Sequence, residues 1–267
     1  MSRTTPSRFP ETPSAVLSAR STTSIFIRPL LIRPRVWGVA LLASICAILV
    51  SVAWLDRPIA YFVNDAFGQY LTVGSLTGTP SFFNPLAVLV FLVFVARRSI
   101  LCPFGRLDVA LILTDLSIVL AKMLVGPLKV VFGRTWPQYH MPSLIGDGTY
   151  AFNFFQSGAS FESFPSGHMA SICALFVVFW LWYPAYWPIY TALIVGMAAS
   201  LVLGNYHFLS DVIGGAVVGC TAAVLVVSIY ESWRAWRLRG RLAMVLPSMR
   251  VWQRLHGRKS HKSLGGS

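Results

Sequence analysis

Charge is scarce in this chain, and acidic charge is scarcest. Asp, Glu, Lys and Arg make up 12% of its 267 residues, about half the share of a soluble domain, and only 9 residues are acidic. With 55% hydrophobic residues and a mean hydropathy of +0.65, that shortage excludes an ordinary soluble fold. Cysteine is sparse too. Cys46, Cys102, Cys173 and Cys220 show no CxxC spacing and three lie in apolar runs, which excludes a disulfide framework or a zinc site and leaves small buried side chains. There is no P-loop, no Rossmann turn and no metal-ligand set, so no cofactor or metal is expected. Gly146-Asp147-Gly148 has the look of a calcium-loop fragment, but the other ligands are missing and a turn accounts for it. Residues 1–24 lack an apolar run and are rich in Ser, Thr, Pro and Arg, which reads as a disordered tail rather than a signal peptide.

What the chain does contain is long apolar runs. Six are long enough, or nearly so, to cross a bilayer as helices: Val36–Leu55, Phe82–Ala96, Leu107–Val125, His168–Tyr183, Trp187–Asn205 and Val212–Tyr230. Helices are expected because a bilayer offers open backbone groups no partner. The fold class is therefore an all-α bundle of six transmembrane helices. Residues 1–35 form a disordered basic tail, 36–230 the membrane domain and 231–267 a second basic tail. The second tail interleaves Trp233, Trp236 and Leu238 with arginines, as an amphipathic segment on an anionic leaflet would.

The net charge of +13 would point to nucleic acid in a soluble protein; here its placement points to lipid. Of 22 Lys and Arg residues, the first tail holds Arg3, Arg8, Arg20, Arg28, Arg33 and Arg35. The second connection holds Arg97, Arg98 and Arg106. The last tail holds Arg234, Arg237, Arg239, Arg241, Arg250, Arg254, Arg258, Lys259 and Lys262. Only Arg57, Lys122, Lys129 and Arg134 lie elsewhere. The positive-inside rule then places both tails in the cytoplasm and residues 56–81, 126–167 and 206–211 on the opposite side. Within the third span, Asp115 and Lys122 lie two turns apart on one face and read as a polar contact between helices, with an ion path as the alternative.

Three clusters sit at span ends on that opposite side. They are Lys129 to Pro137 (KVVFGRTWP), Pro165-Ser166-Gly167-His168, and Asn205 to Asp211 (NYHFLSD). Two His, one Asp, one Lys and one Arg at one water–membrane boundary make a site composition. Ser166 is placed to cap a helix and Gly167 to let a ligand approach closely. The helix N-terminus would favour an anion such as phosphate, with His168 beside it to donate a proton. His207 and Asp211 are four apart, so one helix face lets the carboxylate hold one imidazole nitrogen and leave the other as nucleophile or base. Lys129 and Arg134 supply positive charge for a transition state that spreads charge over several oxygens. Gln138, His140 and Glu162 lie in the loop that would roof the site and read as solvated loop residues.

At these residues the sequence resembles the type 2 phosphatidic acid phosphatase family, membrane lipid phosphatases related to vanadium haloperoxidases. That family carries Lys-x6-Arg-Pro, Pro-Ser-Gly-His and Ser-Arg-x5-His-x3-Asp on a six-helix bundle. The second motif matches fully at Pro165, Ser166, Gly167 and His168; the third matches at Ser200, His207 and Asp211, and the first at Lys129 and Pro137. The resemblance spans about residues 36–230. It implies that His207 attacks phosphorus to form a phosphohistidine, that Asp211 orients His207 and that His168 protonates the leaving oxygen. It also implies that Lys129 and the Ser166–His168 amides hold the phosphoryl oxygens and that no metal takes part.

Two positions depart from the family. Trp136 and Leu201 stand where it has phosphate-clamping arginines. Arg134 resembles the Gly-Arg often seen inside the first motif and would make up one charge; Asn205 is the neutral donor nearest Leu201. The function expected is an integral membrane phosphatase acting on a lipid phosphate or polyprenyl diphosphate, with the bilayer as its surroundings and no nucleic-acid partner. Transfer of the phosphoryl group to a second lipid, and a catalytically impaired lipid-binding scaffold of the same fold, stay open. So does the substrate, among polyprenyl diphosphate, phosphatidylglycerol phosphate, phosphatidic acid and a lipid A phosphate. The expected location is a bacterial inner membrane with the site facing the periplasm.

Overall fold

The computed structural model describes residues 34–67, 105–137, 150 and 152–257. Helix α1 (Pro34–Val50) passes through a π-helical turn, Ser51–Leu55, into α2 (Asp56–Phe67). Then come α3 (Arg106–Phe132), α4 (Gly167–Trp182), α5 (Trp187–Leu203) and α6 (Leu209–Gly257). Among the described residues there is no strand, only isolated bridges from Arg134 to Phe152 and Glu162. Helices cover five of the six apolar runs; the second, Phe82–Ala96, lies outside the described residues, as do Gln138, His140 and the 146–148 turn. Four helical stretches are long and apolar enough to cross a membrane: Arg35–Ala66, Arg106–Phe132, Pro184–Leu203 and Leu209–Arg239. The chain divides into two compact units, Met1–Val224 and Leu225–Ser267, and the candidate site lies wholly in the first.

Helices α3 and α6 run on past the expected Val125 and Tyr230, to Phe132 and Gly257, and the first span is extended as well. Residues 56–67, expected in a loop, continue the first helix. The reason is an inward stripe, Asp56, Ala60 and Val63, buried at helical spacing on a segment whose other face is polar or exposed.

Helix ends position the site. The Asp108 carboxylate accepts the Gly105 N–H (2.8 Å) at the start of α3. At its end Gly133 is left-handed (φ 49°), where a Cβ would strike the Asn153 carbonyl, and its N–H bonds Lys129 O (2.8 Å). That turn aims Arg134 back into the bundle. Helix α4, about 24 Å long, is the central one: Met169 to Ala174 are all buried. It packs on α3 and α6 through Ala121, Val125, Ala170, Ala174 and Ala222, and on α5 and α6 through Met169, Cys173, Leu201 and Val212. Helices α4 and α6 meet at backbone distance. A Cβ on Gly215 would lie 2.3 Å from Ser166 O, and one on Gly219 2.2 Å from Ala170 O, a small-x3-small contact. Large apolar side chains such as Val39, Leu42, Ile45, Leu193 and Val195 face outward, as lipid-facing positions require.

Candidate active site

The turn between α5 and α6 is tied down by its backbone. Asn205 takes a positive φ of 52°, and the Tyr206 and His207 N–H groups both bond Leu201 O. Asp211, in the first turn of α6, accepts the Phe208 N–H at Oδ2 (3.0 Å) and so caps its own helix. The same oxygen takes the Ser163 hydroxyl (2.5 Å) and stands 3.5 Å from His207 Nδ1. His207 is 2% exposed, and its Nε2 has no hydrogen-bond partner among the described residues. Burial holds its imidazole below the ordinary histidine range, against the opposing pull of Asp211. A neutral, oriented imidazole whose Nε2 is not already hydrogen-bonded is the state a nucleophile needs.

His168 lies in the first turn of α4, its ring centroid 6.1 Å from that of His207 and 5.9 Å from that of Tyr206. Ser166 caps α4 by accepting the Met169 N–H (3.4 Å). The Ser166 N–H, expected at phosphate, is instead given to Asp211 O (3.0 Å), which fastens the start of α4 to the start of α6. The amides that the helix start leaves open are those of Gly167 and His168. Lys129, one turn from the end of α3, pairs with Glu162 at 3.8 Å and stands over the Trp136 ring at 5.4 Å. Glu162, expected to be a solvated loop residue, therefore faces the site cation.

Arg134 has different partners from those expected. Its guanidinium is fully buried: Nη1 bonds Asp211 Oδ1 (2.6 Å) and Ser210 Oγ, while Nη2 bonds Asp56 Oδ2 (2.7 Å) and the Tyr150 hydroxyl (3.2 Å). The rings of Phe208 and Phe152 close over it at 4.2 and 4.8 Å. Two carboxylates neutralise it before any phosphate arrives, so its geometry is that of a clamp on Asp211. Burial works against its charge, but Asp211 and Asp56 hold its pKa above the ordinary value.

Asp56 is the residue that sequence reasoning missed. It is 1% exposed and is bonded by Ser51 Oγ (2.7 Å), by the Ser210 N–H (3.0 Å) and hydroxyl (2.5 Å), and by Arg134. Its only signal was a lone carboxylate closing the first apolar run. A continuous chain of contacts thus runs from α2 through Asp56, Arg134 and Asp211 to His207.

Neither departure from the motif brings a charge to the site. Trp136 donates Nε1–H to Ala159 O (2.7 Å) and lies against His207 and Tyr206, with ring centroids at 4.8 and 5.1 Å. Leu201 is 2% exposed in the Met169–Cys173–Val212 cluster. Asn205 does not stand in for an arginine: its Nδ2 bonds Ala60 O (3.2 Å), tying the turn to α2. Ser200 bonds back within α5 to Met197 O (2.9 Å).

The chain is similar to several known proteins. The chain is 27% identical over 207 residues to a lipid A 1-phosphatase of Rhizobium etli, covering 74% of this chain and 86% of that one. It is 26% identical over 206 residues to a lipid A 1-phosphatase of Rhizobium johnstonii, covering 74% and 82%. A crystal structure of a PAP2 type phosphatidylglycerolphosphate phosphatase from Bacillus subtilis overlays with a TM-score of 0.44 at 20% identity, covering 72% of this chain and 96% of that one. The sequence model of the PAP2 superfamily matches residues 110–235. That stretch carries Lys129, the Pro165–His168 motif, His207 and Asp211, and through it the chain is similar to the PAP2 superfamily.

Proposed function

We propose that this chain is an integral membrane phosphatase that removes phosphate from a lipid through a phosphohistidine intermediate, without a metal. The observation that carries the reading is His207: Nδ1 stands 3.5 Å from Asp211, Nε2 has no hydrogen-bond partner among the described residues, and the His168 ring lies 6.1 Å away at the start of α4. Nε2 attacks phosphorus and the bond to the lipid oxygen breaks, His168 giving that oxygen its proton. Water, losing a proton to His168, then attacks phosphorus; the P–N bond breaks and phosphate leaves. Lys129 and the Gly167 and His168 amides bind the phosphoryl oxygens, while Arg134 fixes Asp211. The two Rhizobium relatives are named lipid A 1-phosphatase, so lipid A is the first substrate to test.

The reading includes a sixth span at residues 82–96, both basic tails in the cytoplasm and the site on the periplasmic side of a bacterial inner membrane. The distribution of Lys and Arg supports that orientation. The test is phosphate release by purified protein in detergent over a panel of lipid phosphates, with and without EDTA. Turnover should persist in EDTA and fall at least about 10³-fold in His207→Ala. Turnover that needs added magnesium, or that survives in His207→Ala, would sink the mechanism.

A further inference from the structure

Trp136 and Leu201 stand where the motifs that this sequence resembles have arginine, and Arg134 is spent on Asp56 and Asp211. Lys129 alone is a thin positive lining for a group that arrives as a dianion. One more cation stands beside it. Lys122 lies two helical turns before Lys129 on the same face of α3. A Cβ built on Gly167 would lie 3.7 Å from Lys122 Nζ and 3.6 Å from Val125 Cγ1. The ammonium therefore reaches the first residue of α4, next to the open Gly167 and His168 amides, and its charge acts on both His168 and Lys129.

The polar contact between helices expected at Asp115 and Lys122 is not made: among the described residues neither has a hydrogen-bond or ion-pair partner. The remaining carboxylates nearby are taken, Glu162 by Lys129 and Asp211 by Arg134. An ammonium on the inward face of a membrane helix is costly to keep unless an anion meets it. Its surroundings select the kind of anion. Open amides at a helix start and a second lysine converge with it on one small volume, which suits a tetrahedral oxyanion with several acceptor oxygens.

We propose that Lys122 is a ligand of the substrate phosphate, supplying with Lys129 the charge that Trp136 and Leu201 withhold. The proposal rests on the phosphatase reading for the identity of the anion. Lysine suits the place: its flexible stem carries a point charge to the oxyanion from two turns deeper in the helix than Lys129.

The test is calorimetric titration of the full chain in detergent with orthovanadate, an oxyanion that reports binding without turnover. Wild type is compared with Lys122→Met, Lys122→Gln and Lys122→Arg, each checked for a monodisperse profile and an unchanged thermal midpoint. Met and Gln are expected to weaken vanadate binding at least about tenfold, the loss of one charge-assisted hydrogen bond, and Arg to keep most of the affinity. Vanadate affinity within twofold of wild type in either folded neutral variant overturns the role of Lys122 and leaves the phosphatase reading standing. Lys122-dependent vanadate binding in a protein that hydrolyses no lipid phosphate does the reverse. Absence of vanadate binding by wild type overturns both.

Discussion

His207 carries a pH signature. Its pKa is lowered by burial, so the imidazole stays neutral, as the proposed nucleophile must, to lower pH than a free histidine. The acid limb of kcat/KM should therefore lie below about 6.5. Asp56 bears on that limb through Arg134. Replacing Asp56 by Asn leaves the Arg134 charge balanced by Asp211 alone, so more positive charge is felt at His207 and its protonation becomes harder. The limb should move further down in Asp56→Asn, alongside a stability loss of about 3 kcal/mol from breaking a buried pair. A pH–rate profile that stays in place while stability falls would show Asp56 to be a purely structural residue. Leu201 gives the opposite kind of test. Restoring the arginine of the family motif there would bury a charge among Met169, Cys173 and Val212 with no carboxylate to meet it. Leu201→Arg should cost on the order of 4 kcal/mol and lower activity, read as the thermal midpoint and phosphate release. A gain in activity would mean that the side chain reaches the phosphate after all.

At the scale of helices, the site depends on how closely α4 and α6 approach. The Ser166 N–H bonds Asp211 O, and Gly215 and Gly219 let the two backbones touch, so the His168 end and the His207 end of the site are fastened to each other. A side chain at Gly219 must push against the Ala170 carbonyl at 2.2 Å. Gly219→Val should destabilise by about 2 kcal/mol through overpacking and reduce turnover, although position 219 is about two turns from the site. Unchanged melting together with unchanged turnover would refute the tight contact. Sequence periodicity was enough to place five of the described helices, because membrane helices announce themselves by length and apolarity. It misjudged residues 56–67 because that stretch mixes Asp56, Arg57, Asn64 and Asp65 with its apolar residues. Its helical state follows from an inward face that only becomes visible once Arg134, Tyr150 and Phe208 are in position.

For the whole molecule, the proposed orientation rests on the placement of basic residues. A fusion of green fluorescent protein to the C-terminus should fluoresce in bacterial cells, and a fusion of alkaline phosphatase to the same end should be inactive. An active alkaline phosphatase fusion would invert the assignment and put the site on the cytoplasmic face.

The sequence by itself determined that this is a membrane protein, which runs become helices, and which residues form the His168, His207 and Asp211 constellation. Those properties are local: apolar length, helix-start chemistry and i,i+4 spacing are all written in neighbouring residues. Tertiary structure decided how the charges are shared out. It gave Arg134 to Asp56 and Asp211, the Ser166 N–H to Asp211 O, Asn205 to Ala60, and left Lys122 beside Gly167. Asp56 and Arg134 are 78 residues apart in sequence. In a low-dielectric interior a charge takes whichever counter-charge the packing brings within about 3 Å, and which one that is follows from the arrangement of the helices.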